Sequence, residues 1–138
     1  MSKIIEMEDL RHLNLFAKIT KILTRHCFYY NEGIVFLVPK SKLSKALGEG
    51  AQNLKRLSQI LRKRVKIVAQ PQGIEDVERF IKIIVGPVEF KEVEVKEDEI
   101  ILTAGMQNKA ALLGRNKRRL IEMKGIIKDY FGKEFRIV

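Results

Sequence analysis

Metal-ligating and redox-active side chains are almost missing from this chain, which has one cysteine and two histidines in 138 residues. The single Cys27 excludes an intrachain disulfide and fits a reducing compartment. Cys27, His12 and His26 show no CxxC or HxxxH spacing, so core or helical roles are expected of them rather than a zinc site. Three prolines are present and tryptophan is absent, and no Pro-rich or Gly/Ser-rich linker divides the chain. No run of 18 apolar residues, N-terminal apolar leader or lipidation signal appears, which leads to the expectation of a soluble, cytoplasmic protein with no membrane partner. No P-loop, Ser/His/Asp set or pair of convergent carboxylates stands out. The acids Glu97-Asp98-Glu99 diverge around a turn and read as a solvated hairpin end, not a metal site. The expectation is a protein that is not an enzyme, with no cofactor and no small-molecule substrate.

What is abundant is positive charge. Lys and Arg number 27 against 17 Asp and Glu, a net charge of +10, which makes nucleic acid the first partner to consider. The excess is not spread evenly. Residues 40–66 carry +8 and residues 114–136 carry +5, while residues 67–113 carry −4. Cations clustered in this way suit a surface that follows phosphates, because each displaces a condensed counterion.

The pattern of apolar residues predicts an α/β (α+β) fold. Residues 1–26 read as a helix with Asp9 as a cap and Leu10, Leu13, Phe16, Ala17, Ile19, Thr20 and Leu23 forming its apolar stripe. Cys27–Val38 reads as a hairpin around Asn31-Glu32-Gly33, and Ser41–Leu47 as a short helix capped by Ser41. Leu54, Leu57 and Leu61 mark a second helix, with Val65–Val68 as a closing strand. After Pro71 and Gly73 the same order returns: a helix over Ile74–Ile84, strands over Val88–Val95 and Ile100–Thr103, helices over Asn108–Leu113 and Leu120–Phe131, and a strand over Phe135–Val138. Val88/Phe90 and Val93/Val95 are out of phase, which predicts a bulge. The chain is thus an αββααβ unit repeated, over residues 1–70 and 71–138.

Each repeat carries the same punctuation between its second and third helices. Ala46-Leu47-Gly48-Glu49-Gly50-Ala51 leads to Leu54, and Leu112-Leu113-Gly114-Arg115-Asn116-Lys117 leads to Leu120. A glycine turn at the start of a basic helix sets unpaired backbone N–H groups beside cations, and glycine has no Cβ to keep a sugar-phosphate backbone away.

This pattern resembles the KH domain in its type II arrangement, whose signature is an apolar pair, Gly-x-x-Gly and a helix with an apolar residue three places on. The tandem pair resembles the KH domains of NusA, and the chain as a whole is similar to the archaeal NusA-like proteins. The resemblance implies two type II KH domains, each with its helices on a small three-stranded mixed sheet. It further implies single-stranded RNA, a nascent transcript or rRNA, clamped by its backbone at both turns, with bases in an adjoining groove. The RNA-binding residues implied are Lys45, Gly48, Glu49, Gly50, Ala51, Asn53, Lys55 and Arg56 in the first repeat. In the second they are Gly114, Arg115, Asn116, Lys117, Arg118 and Arg119, the electrostatically better site. Ala51 and Lys117 depart from the pattern at its last glycine, and Glu49 brings a carboxylate into the clamp. By family the protein would act in transcription elongation, termination or antitermination, with RNA polymerase as a further candidate partner. The alternatives are a ribosome-associated rRNA-binding factor and a protein-docking module whose turns no longer hold RNA. Gly48→Asp and Gly114→Asp are expected to lower RNA affinity while the fold survives.

Overall fold

The computed structural model describes residues 7–138; the part of the expected first helix before Met7 lies outside the described residues. The fold is mixed α+β and divides into two compact units between Gln70 and Pro71. The first runs α1 (Met7–Thr20), β1 (Cys27–Tyr30), β2 (Gly33–Val38), α2 (Leu43–Leu47), α3 (Gln52–Leu61) and β3 (Val65–Ala69). The second runs α4 (Val77–Val85), β4 (Glu92–Val95), β5 (Glu99–Thr103), α5 (Met106–Leu113), α6 (Arg118–Phe131) and β6 (Glu134–Ile137).

Both units solve the same packing problem. A hairpin of β-branched and aromatic residues supplies two antiparallel strands, and the last strand of the unit joins the second of them in parallel, giving sheet orders β1-β2-β3 and β4-β5-β6. The registers correspond: Lys66 lies beside Val35 in one sheet and Arg136 beside Ile101 in the other. In the first unit α1, α2 and α3 bury Leu13, Phe16, Ala46 and Leu57 against Ile34, Phe36, Val38, Val65 and Ile67. Phe16 and Phe36 stack with ring centroids 4.5 Å apart. In the second, Phe80 of α4 is fully buried and meets Phe131 edge-on at 5.7 Å.

Several local expectations are corrected. The first helix stops at Thr20 rather than reaching residue 26. Thr20 Oγ1 donates to Phe16 O at 2.8 Å and accepts from Ile22 N at 3.2 Å, and Lys21 takes a left-handed φ of 64°, so the chain turns off the helix there. Asp9 is not a cap: it lies inside α1, buried, with Cys27 Sγ 3.9 Å from its Oδ1. Leu10 and Leu23 are exposed. Ser41 makes no cap to α2, whose N-cap position is Lys42. The phase change near residue 90 is not a bulge; β4 begins only at Glu92, leaving Val88 and Phe90 outside the sheet.

Candidate nucleic-acid interface

α2 ends at Leu47 and α3 begins at Gln52, and the four residues between form a tight turn. Gly48 has φ 78° and ψ 169°, Gly50 φ 62° and ψ 24°, and Ala51 φ 58° and ψ 30°. The turn between α5 and α6 repeats this backbone with other side chains: Gly114 at 76° and 169°, Asn116 at 55° and 29°, Lys117 at 57° and 28°. The hydrogen bonds match as well. Gly48 N donates to Ser44 O and Ala51 N to Gly48 O; Gly114 N donates to Ala110 O and Lys117 N to Gly114 O, all between 2.9 and 3.1 Å. Bonding inside each turn starts at its fourth residue, so the N–H groups of Glu49 and Gly50, and of Arg115 and Asn116, are the donors the turn does not use for itself.

Gly48 and Gly114 are dictated twice over. Their backbone lies in a region open essentially to glycine alone. A Cβ on Gly48 would stand 2.9 Å from the Asn53 side chain, and one on Gly114 would stand 2.5 Å from Arg119 Cγ and 2.9 Å from Arg119 N. Replacing either by Asp therefore disturbs the turn itself, and the expectation that the fold passes unharmed through that change is withdrawn. Ala51 and Lys117 occupy left-handed backbone that costs a side-chain-bearing residue about 1–2 kcal/mol. Lys117→Gly should accordingly raise stability by about 0.5–1 kcal/mol after the added freedom of the unfolded glycine is deducted; an unchanged or lowered melting temperature would contradict this reading of the turn.

The cations sort into two groups. Lys45, Lys55 and Arg56 around the first turn are exposed, as are Arg115, Lys117 and Arg118 at the second; Glu49, Gly50 and Asn116 are exposed too. Arg119 is different. It is 9% exposed, its Nη1 lies 3.2 Å from Glu122 Oε1, and its aliphatic stem covers Gly114. Its counterpart in the first unit is Asn53, half-buried, whose Nδ2 donates to Lys45 O at 3.4 Å. Both brace a turn from behind, so Arg119 leaves the set of cations open to a ligand. Lys40 and Lys42, exposed just before α2, belong to the same basic stretch of residues 40–66 but lie outside the turn motif.

The aromatic residues of the first hairpin serve the core. Tyr30 and Phe36 are buried in the sheet. Tyr29 Oη bonds His12 Nδ1 at 2.9 Å, and burial, with the Asp9 carboxylate second, pushes its hydroxyl well above the usual tyrosine range. Among the described residues no group of three or more His, Cys, Asp or Glu could hold a metal ion, and no helix is long and apolar enough to cross a membrane. At the tip of β4–β5, Lys133 Nζ binds the carbonyls of Lys96 and Glu97, which ties the acidic turn down as a hairpin end.

No protein-family model matches the chain. It is 30% identical over 93 residues to the probable transcription termination protein NusA of Methanococcus vannielii, covering 67% of this chain and 52% of that one. It is 27% identical over 97 residues to the protein of the same name from Methanocaldococcus jannaschii, covering 70% of this chain and 51% of the relative. The chain thus spans about half the length of the curated relatives it matches. The crystal structure of APE1850 superimposes with a TM-score of 0.64 at 25% identity, covering 97% of this chain and 99% of that one. Matched in sequence by two archaeal NusA proteins over about two thirds of its residues, the chain is an archaeal NusA-like protein.

Proposed function

We propose that the two units are type II KH domains and that the chain, a NusA-like transcription factor, binds single-stranded RNA at its two glycine turns and acts on elongation or termination by engaging the nascent transcript. The observation that carries this reading is the repetition of one backbone turn, whose last residue is left-handed without being glycine in both copies (Ala51 and Lys117), in two sequences that share little else there. A strained conformation kept twice points to a use for the turn. Its unused N–H groups and the positive end of the following helix face a phosphate, and the flanking Lys and Arg neutralise it. Each turn would hold about four nucleotides. RNA polymerase is the further partner that the NusA likeness suggests. No catalytic step is assigned, and the protein would act in the cytoplasm.

The test is fluorescence anisotropy with labelled single-stranded RNA, the matching DNA and an RNA hairpin. The six exposed cations at the turns set the scale: at a slope of about −0.7 per phosphate contact, affinity should fall about 300-fold between 50 and 200 mM salt. Arg115→Asp/Asn116→Asp avoids the obligatory glycine and places charges where Asn already tolerates left-handed backbone; it should weaken binding roughly 10- to 100-fold while the melting temperature holds. Preference for the hairpin would favour an rRNA-binding role, and absence of RNA binding would leave a protein-docking module.

A further inference from the structure

The two units differ at the end of the long helix opposite the turn. In the first, α3 leaves through Arg62, itself in left-handed backbone, into Lys63 and Arg64. All three are exposed, and among the described residues none makes an ion pair with them; Arg64 Nη2 donates to Asn31 O at 2.9 Å, which fixes its position. The exposed face of α3 between the turn and this end offers Gln52, Lys55, Arg56, Gln59 and Ile60, without an acid. In the second unit two cations at the same end are paired with acids, Lys128 with Glu134 at 2.9 Å and Arg136 with Glu99 at 3.3 Å, while Lys133 keeps its charge and donates to the Lys96 and Glu97 carbonyls.

Next to this basic end lies a cavity of about 480 Å³, lined by Met7, Glu8, Arg11, His12 and Leu15 of α1 and by Leu61, the residue before Arg62. Met7, Leu15 and Leu61 give it apolar walls, and Arg11 adds a further exposed cation. His12 Nδ1 is taken by Tyr29, which leaves Nε2 as the ring nitrogen able to bond a ligand. Glu8 is the one carboxylate of the lining. A cavity of this size suits a nucleobase, and phosphates on either side of such a base would meet Arg11, Arg62 and Lys63.

Resting on the RNA-binding reading of the turns, we infer that the first unit holds a second stretch of the same RNA strand at the far end of α3, with a base in the α1–α3 cavity and its phosphates on Arg62 and Lys63. The ten residues of α3 separate the two contacts by about 15 Å, so a strand that fills only the turn cannot reach both. The second unit has no such extension, because two of its three cations there are already ion-paired.

The test uses the full chain and unstructured RNAs of about 5 and about 15 nucleotides, the shorter one sized to a single turn. Arg62→Gln/Lys63→Gln should leave the short RNA unaffected, weaken the long RNA about 10-fold, and reduce its salt slope by about 1.4. Leu15→Phe, which fills the cavity without altering charge, should weaken the long RNA alone with the slope unchanged. The control Lys82→Gln/Lys91→Gln removes two exposed cations set beside Glu78 and Glu89 in the second unit and should change neither RNA. Equal losses on both lengths, or none on the long one, would overturn the second contact. If the turn variant Arg115→Asp/Asn116→Asp has no effect while Arg62→Gln/Lys63→Gln does, the second turn is not a clamp and the α3 end acts without it; a wild-type chain that binds neither RNA overturns both.

Discussion

Phe36→Ala should lower the melting temperature by about 12–40 °C. Phe36 has no exposed surface, sits on β2 at the centre of the first sheet, and stacks on the equally buried Phe16. Truncating such a ring removes its transfer free energy, leaves a cavity and forfeits the stack, together about 3–5 kcal/mol. The first unit ends at Gln70, and a core of that size rarely supplies more than about 3–5 kcal/mol in total. The loss therefore approaches the whole stability of the unit, and at about 4–8 °C per kcal/mol it becomes the stated shift. Phe36→Leu keeps most of the volume and should cost under about 1.5 kcal/mol. Thermal melts by circular dichroism decide the matter; an alanine variant melting within a few degrees of wild type would mean that Phe36 is not a keystone of this core.

The second large effect is an asymmetry between two residues that look equivalent. Gly114→Ala and Gly48→Ala both force a side chain into backbone near φ 77° and ψ 169°, a strain of about 1–3 kcal/mol. They differ in what the new methyl meets. At Gly48 the nearest atoms belong to the Asn53 side chain, with the backbone N at 3.2 Å; at Gly114 the Arg119 backbone N is already at 2.9 Å. A side-chain amide can step aside, whereas the first turn of a helix cannot. Gly114→Ala should cost about 3–4 kcal/mol and Gly48→Ala about 2–3 kcal/mol. Adding Arg119→Ala to Gly114→Ala should relieve only the contact with Cγ and not the strain. Denaturant titrations of the three variants give the order directly, and equal costs at the two glycines would refute the steric argument.

Much of this architecture was legible because each repeat is locally consistent: β-branched hairpins, leucines at helical spacing, and one glycine turn recurring 66 residues on. The failures have specific physical causes. Asp9 has the chemistry of a cap but is held inside α1 beside Cys27 and Tyr29, contacts that depend on the strand arriving 18 residues later. Arg119 is one of four cations within residues 115–119, and only the close passage of Gly114 behind it makes it a brace. The hairpin was read around Asn31-Glu32-Gly33 together, yet Asn31 and Glu32 alone take the left-handed backbone (φ 51° and 61°), while Gly33 is a strand residue whose missing Cβ spares Arg64 O at 2.9 Å. The basic end of α3 was included in the charge count but had no motif to draw attention to it, since what sets it apart is the adjoining cavity and the ion pairs that silence its counterpart.

The parallel closing strands also govern when each half can form during synthesis. The central strand β2 waits for Val65–Ala69 and β5 for Glu134–Ile137, so neither sheet has its third strand until the end of its own unit has been made. The first unit has all its strands before the 68 residues of the second are translated, an interval of about 3–14 s at roughly 5–20 residues per second. That is ample time for one small domain to fold, so the nascent chain can carry a finished first glycine turn before the second has been synthesised.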